Sequence, residues 1–176
     1  MNAAANVFLA GLLHPFLVPA HVIALVAVGL MIAQQGPGDR AVFLIVFIAA
    51  LAGGFVAVVL AVAANYALLY LLAASAAAGL LATLGRPLPL ALTVTPAAVT
   101  GAAFIFDSVP QDISMSASAA ALAASACAAG FAVAALAVLV VRLRHPYLQV
   151  GMRIIASWAA ASAILVLALH FARFWR

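Results

Sequence analysis

The sequence predicts an all-α polytopic membrane protein, a bundle of about six transmembrane helices whose first span is broken by prolines. Three observations lead there. The chain of 176 residues is 70% hydrophobic and 6% charged, with a mean hydropathy of +1.36. A water-soluble fold of that length must cover itself with polar groups, so the solvent for most of this chain is lipid. Glutamate and lysine are absent, and Asp39, Asp107, Asp112 and seven arginines all avoid the middle of the long apolar runs. Those runs recur at the roughly 17–25 residues that a helix needs to cross a hydrocarbon core.

The first span is expected over about 16–33. An apolar stretch over 3–13 precedes it and is too short to cross. It reads either as an interfacial or re-entrant half-helix or as an extension kinked at Pro15 and Pro19. The second and third spans, about 41–64 and 67–84, share one apolar run that only Asn65 and Tyr66 interrupt. A tight turn is expected there, with Tyr66 and Tyr70 as interfacial anchors. Gly53 and Gly54 predict a close helix crossing in the second span.

The fourth span, about 88–106, contains Thr93, Thr95, Pro96 and Thr100. A kink at Pro96 follows, with threonine hydroxyls satisfying the carbonyls it frees. The fifth, about 116–141, is crowded with Ala, Ser and Gly. Small side chains let backbones approach closely, so this helix is expected to be central and to meet several neighbours. Ser114 with Asp112 can start it. The sixth covers about 150–171, after His145, Pro146 and Tyr147 and before Arg173 and Trp175. These residues and His170 read as interface anchors. Residues 1–176 form a single integral membrane domain on this reading.

Arginine sets the expected orientation. With six spans, Arg40, Arg86, Arg142, Arg144 and Arg153 fall on or near loops of one side, and only Arg173 and Arg176 on the other. Cytoplasmic loops hold the positive excess, which puts both termini in the periplasm of a bacterial inner membrane. His14, His21, Asp107, Asp112 and His170 then belong to the outward half, and His145 is cytoplasmic. The net charge of +4 and pI of about 10.3 describe helix ends, not a nucleic-acid surface. The opening MNAAANVF lacks a positive n-region, so no cleavable signal peptide is expected. Cys127 is the single cysteine. It excludes an intrachain disulfide and reads as a buried small hydrophobe.

Chemistry concentrates in the first span. His14 and His21 are seven residues apart, which on a regular helix means one face but about 10 Å along the axis. Metal–ligand bonds are about 2 Å long, so an unbroken helix cannot bring both imidazoles to one ion. Pro15 and Pro19 remove backbone donors and disfavour helical geometry in the residues before them. A non-helical stretch between them would fold His14 back toward His21 and free carbonyl oxygens. Transporters place ion sites at such broken helices. Asp107 and Asp112 bracket Pro110 in a short loop on the same side. Imidazole and carboxylate together suit a divalent transition metal. The candidate metal ligands are therefore His14, His21, Asp107 and Asp112. The structural alternative has His14 capping an interfacial segment and His21 hydrogen-bonded to a neighbouring helix. No hydrolase triad, zinc-protease helix, phosphate loop or dinucleotide fingerprint is present, so neither an enzyme nor a bound cofactor is expected.

The stretch G-L-L-H-P-F from Gly11, then His21 and the run V-I-A-L-V-A-V-G-L, resembles the opening of HupE/UreJ proteins. The last span, with Ser157-Trp158-Ala159-Ala160-Ala161-Ser162, is similar to theirs as well. The resemblance implies a small bacterial membrane protein of about six spans, linked to hydrogenase and urease gene clusters and acting as a nickel permease. The family's H-P-x-x-G-x-D-H signature is matched by His14, Pro15 and His21, while Val18 replaces its glycine and Ala20 its aspartate. Phe106 to Gln111 carries no histidine where the family has a second histidine-rich motif, and the third-span glutamate is missing. Two functions follow. One is transport of a divalent metal ion, nickel by resemblance, from the outer side. The other is a non-transporting accessory or structural subunit, packed against a larger membrane complex or a second copy through its small-residue faces.

Overall fold

The computed structural model describes residues 3–63, 65–110, 114–143 and 145–174. Seven helices occupy them: α1 (Ala3–Leu17), α2 (Pro19–Ala33), α3 (Pro37–Val59), α4 (Ala67–Thr83), α5 (Leu90–Asp107), α6 (Met115–Arg142) and α7 (Pro146–Phe174). No strand occurs among the described residues. By length and composition α3, α5, α6 and α7 can each cross a membrane, and α1 with α2 qualifies as one span bent by 69°. Helix α4 is apolar but has 17 residues, about 25 Å at the α-helical rise and at the short limit for a crossing. The architecture is a polytopic helical bundle with four to five candidate spans.

Local chemistry explains the helix ends. Helices α2, α3 and α7 each begin on a proline, at Pro19, Pro37 and Pro146. A proline at the first helical position loses only a donor that the first turn leaves unpaired. Ser114 caps α6 by accepting from Ala117 N–H at 3.4 Å.

Helix α3 ends at Val59, five residues before the expected limit at 64. Ala61 adopts a φ of 59°, with Val62 N–H donating to Ala57 C=O and Ala61 N–H to Val58 C=O, both at 2.9 Å. This is a Schellman cap, a motif that normally places glycine where Ala61 stands. The helix therefore ends earlier than expected, because Ala61 carries no composition signal for a left-handed cap, while the turn expected at Asn65 and Tyr66 is present directly before α4. Tyr66 and Tyr70 are exposed. A left-handed alanine costs about 1–2 kcal/mol, so Ala61→Gly is expected to stabilise the protein by about 1 kcal/mol. Unfolding in mixed detergent micelles would measure it.

Helix α2, not α6, is the central element. It packs against every other helix, and Ala24, Ala27, Val28, Met31 and Ile32 are fully buried. Helix α6 meets α1, α2, α3 and α5, but exposes Phe131, Val138 and Leu139. Small residues permit close packing without requiring it, and in α6 several face outward. Cys127 is one of these: it is exposed rather than buried, because the outer surface of a membrane bundle is as apolar as its core.

Close crossings depend on particular glycines. A Cβ on Gly11 would meet the Ala121 carbonyl oxygen and sit 2.7 Å from Ala121 Cα, which fixes α1 against α6. At Gly101 it would lie 2.7 Å from Phe47 O, fixing α5 against α3. Gly54 also marks the α3–α5 crossing, with Ala102 O at 3.1 Å, whereas Gly53 faces open space. Pro96 lies within an unbroken α5. Thr93 donates to Leu90 O at 3.2 Å and Pro89 O at 3.4 Å, not to the Leu92 carbonyl whose i+4 donor Pro96 removes. The expected threonine repair of that carbonyl is therefore absent at Thr93.

Candidate functional site

The break in the first span is one residue wide. Val18, with φ −97° and ψ 113°, separates α1 from α2. Proline disfavours helical geometry in its predecessor, and Pro19 follows Val18 directly. The chain does not unwind from Pro15 to Pro19 as expected: α1 passes through Pro15, and the whole deviation is a 69° bend. Val18 N–H still reaches His14 O at 3.3 Å, and Val18 O accepts from His21 N–H at 3.0 Å and Val22 N–H at 3.1 Å. One extended residue is sufficient. The His14 and His21 ring centroids come to 5.0 Å, in an edge-to-face arrangement at 72°.

Helix α5 holds His21 from the other side. Its last residue, Asp107, places Oδ2 3.0 Å from His21 Nε2. Phe104, one turn earlier on the same face, puts its ring centroid 4.6 Å from that of His21. His21 is fully buried, and Asp107 retains 22% exposure. With the proton on Nε2, His21 donates to the Asp107 carboxylate and Nδ1 presents its lone pair. A carboxylate behind an imidazole in this way fixes its tautomer and orientation.

Two ring nitrogens are then of interest. His14 Nε2 and His21 Nδ1 are buried, and neither has a hydrogen-bond partner among the described residues. A buried polar atom left unpaired costs about 1–3 kcal/mol, so both favour any water or cation that reaches them. Access exists on one flank: a cavity of about 290 Å³ is bordered by Gly11, His14, Asp107, Pro110, Ala121 and Ser125. Ser125 Oγ, from α6, is also buried without a partner among the described residues, as is Thr100 Oγ1. Thr100 lies two turns below Asp107 on α5.

Of the four candidate ligands, His14, His21 and Asp107 are brought to one locality. Asp112 lies outside the described residues. No group of three or more His, Cys, Asp or Glu among the described residues could hold a metal ion, and one carboxylate oxygen of Asp107 is already engaged by His21. His145 is elsewhere, stacked on Tyr147 with centroids 5.1 Å apart at the start of α7. Phe104 and Ser125 are site residues that the sequence reading did not single out. The three-residue step from Phe104 to Asp107 on a helix could have found the first. Nothing in an Ala/Ser run marks which serine faces a cavity.

The family model of the HupE / UreJ protein matches residues 1–171. That family is associated with nickel or cobalt transport or with accessory function, and is not a family of enzymes. No curated protein and no solved structure matches the chain.

Proposed function

The chain belongs to the HupE/UreJ family, and on that premise we propose that it moves a divalent transition-metal ion, nickel foremost, across a bacterial inner membrane. His14 Nε2 and His21 Nδ1 are the first ligands in this reading. Asp107 holds His21 in the donating tautomer and, with Asp112, draws the cation to the mouth of the site. The observation that carries the proposal is the meeting of the two rings, centroids 5.0 Å apart, at a proline-made bend beside a cavity that His14 borders, each ring with a buried nitrogen that has no partner among the described residues. Imidazole nitrogen suits nickel, and a site with only two strong donors binds loosely enough to release its cargo.

One observation favours a second reading. Among the described residues no three-ligand group is assembled, and Val18 and Ala20 stand where the family signature has glycine and aspartate. An accessory or structural subunit on this scaffold would need neither residue. Nickel uptake by cells expressing wild type, His14→Ala and His21→Ala separates the two. Transport predicts that both variants, at matched membrane levels, fall to the background of empty cells. Uptake that is the same in all three strains leaves the accessory role.

The arginines support an orientation. Arg40, Arg86, Arg142 and Arg153 all belong to the end of the bundle opposite the histidine pair, consistent with a cytoplasmic face there and, with the short α4 counted as a sixth crossing, outward termini. An alkaline phosphatase fused after residue 176 is then expected to be active, and one fused after Gly85 inactive. The reverse pattern would invert the topology.

A further inference from the structure

A second cavity, of about 520 Å³, opens at the arginine end of the bundle, some thirteen residues or about 20 Å along α2 from His21. Its polar wall is Gln34, Arg40, Gln149 and Arg153; its apolar wall includes Val140 and Met152. Both arginines are held in place by backbone. Arg40 Nε donates to Gln35 O at 2.6 Å and Arg153 Nε to Thr83 O at 2.7 Å. Each guanidinium keeps four further N–H donors on its two terminal nitrogens. Neither arginine forms an ion pair among the described residues, and no carboxylate lines the cavity. Gln34 donates its amide to Ala82 O, while its Oε1 is buried with no partner among the described residues.

We propose that this cavity binds the headgroup of an anionic phospholipid, with the phosphate between Arg40 and Arg153. Fixing each guanidinium through Nε removes the rotamer entropy that phosphate binding would otherwise cost. Two guanidinium groups on a wall without a carboxylate disfavour a divalent cation in the cavity. The apolar wall accepts the start of an acyl chain, which a free phosphate would leave bare. At about 30 Å³ per water the cavity holds far more than one bare phosphate. Gln34 Oε1 gives a headgroup hydroxyl an acceptor, which matches phosphatidylglycerol better than a headgroup without hydroxyls.

The simpler alternative is that the two guanidinium groups only cap the C-terminal ends of α2 and α4, and the test separates these roles. Binding to the purified full chain is read by native mass spectrometry and by thermal unfolding in detergent. The probes are phosphatidylglycerol, phosphatidylcholine and inorganic phosphate. Phosphatidylglycerol is expected to stay bound and raise the midpoint, with no effect of the other two. Arg40→Gln and Arg153→Gln should each weaken its binding roughly fivefold. Because those changes also remove caps, Gln149→Glu provides the second variant: it keeps both caps, adds a negative charge to the cavity wall, and should weaken binding by a similar factor. Equal retention of phosphatidylcholine, or wild-type binding in Gln149→Glu and both arginine variants, would overturn the proposal. Stabilisation by inorganic phosphate alone would assign the arginines to a soluble anion and overturn the lipid occupant.

Discussion

His21→Ala is expected to destabilise the protein by about 3 kcal/mol and to abolish metal uptake, whereas Asp107→Asn separates the two effects. The imidazole is fully buried and touches His14, Phe104 and Asp107. Deleting it leaves a cavity and a largely buried carboxylate without its partner, the two mechanisms that give large single-site losses. Asparagine at 107 can still accept from His21 Nε2 through its side-chain carbonyl, so stability should fall by less than about 1 kcal/mol. The loss of negative charge behind the ring makes it a poorer ligand for a cation, and uptake should drop about 10–100-fold. Unfolding in mixed micelles and radioactive nickel uptake, run on both variants, give the comparison. Equal losses of stability in the two would mean that Asp107 acts through packing, and its proposed role behind the ring would fail.

The second large effect comes from a residue with no side chain. Gly11→Ala places a methyl group against the Ala121 carbonyl oxygen and 2.7 Å from Ala121 Cα. Backbone cannot rotate away as a flexible side chain can, so α1 must move off α6. Overpacking of this kind costs about 1–3 kcal/mol. The functional loss should be larger than that figure implies, because α1 carries His14 one turn further on. Nickel uptake in Gly11→Ala is expected to resemble that of His14→Ala, although both imidazoles are present. Gly53→Ala is the matched control: nothing lies within 4 Å of the added methyl, and alanine is the better helix former. It should leave uptake unchanged. If Gly11→Ala also transports normally, the position of α1 is irrelevant to function.

Much of the site was legible because proline acts locally. Pro19 constrains Val18, a seven-residue spacing fixes how far apart two imidazoles sit on a straight helix, and only a bend can join them. The amount of bending was not legible. A stretch from Pro15 to Pro19 was expected to unwind, but Pro15 is accommodated inside α1 and only Val18 leaves helical geometry. The partner across the bundle was half legible: Asp107 was marked by being one of three acids, while its assignment to His21 Nε2 required α5 to be set beside α2. Phe104, Ser125 and Gly11 were hidden, since an aromatic, a serine or a glycine in an apolar run has many structural uses.

The helical class, the apolar lengths and the proline break follow from the chain itself, since backbone donors in lipid must be satisfied within a segment and proline withdraws one. Which helix sits at the centre, and which face of each helix is inside, came only from tertiary packing. In water an amphipathic stripe would announce the buried face. Here lipid and protein interior are equally apolar, so sequence periodicity says little, and α2 displaced the Ala-rich α6 as the core by shape alone. The convergence of His14, His21 and Asp107 is likewise a product of three helices meeting, which no single segment encodes.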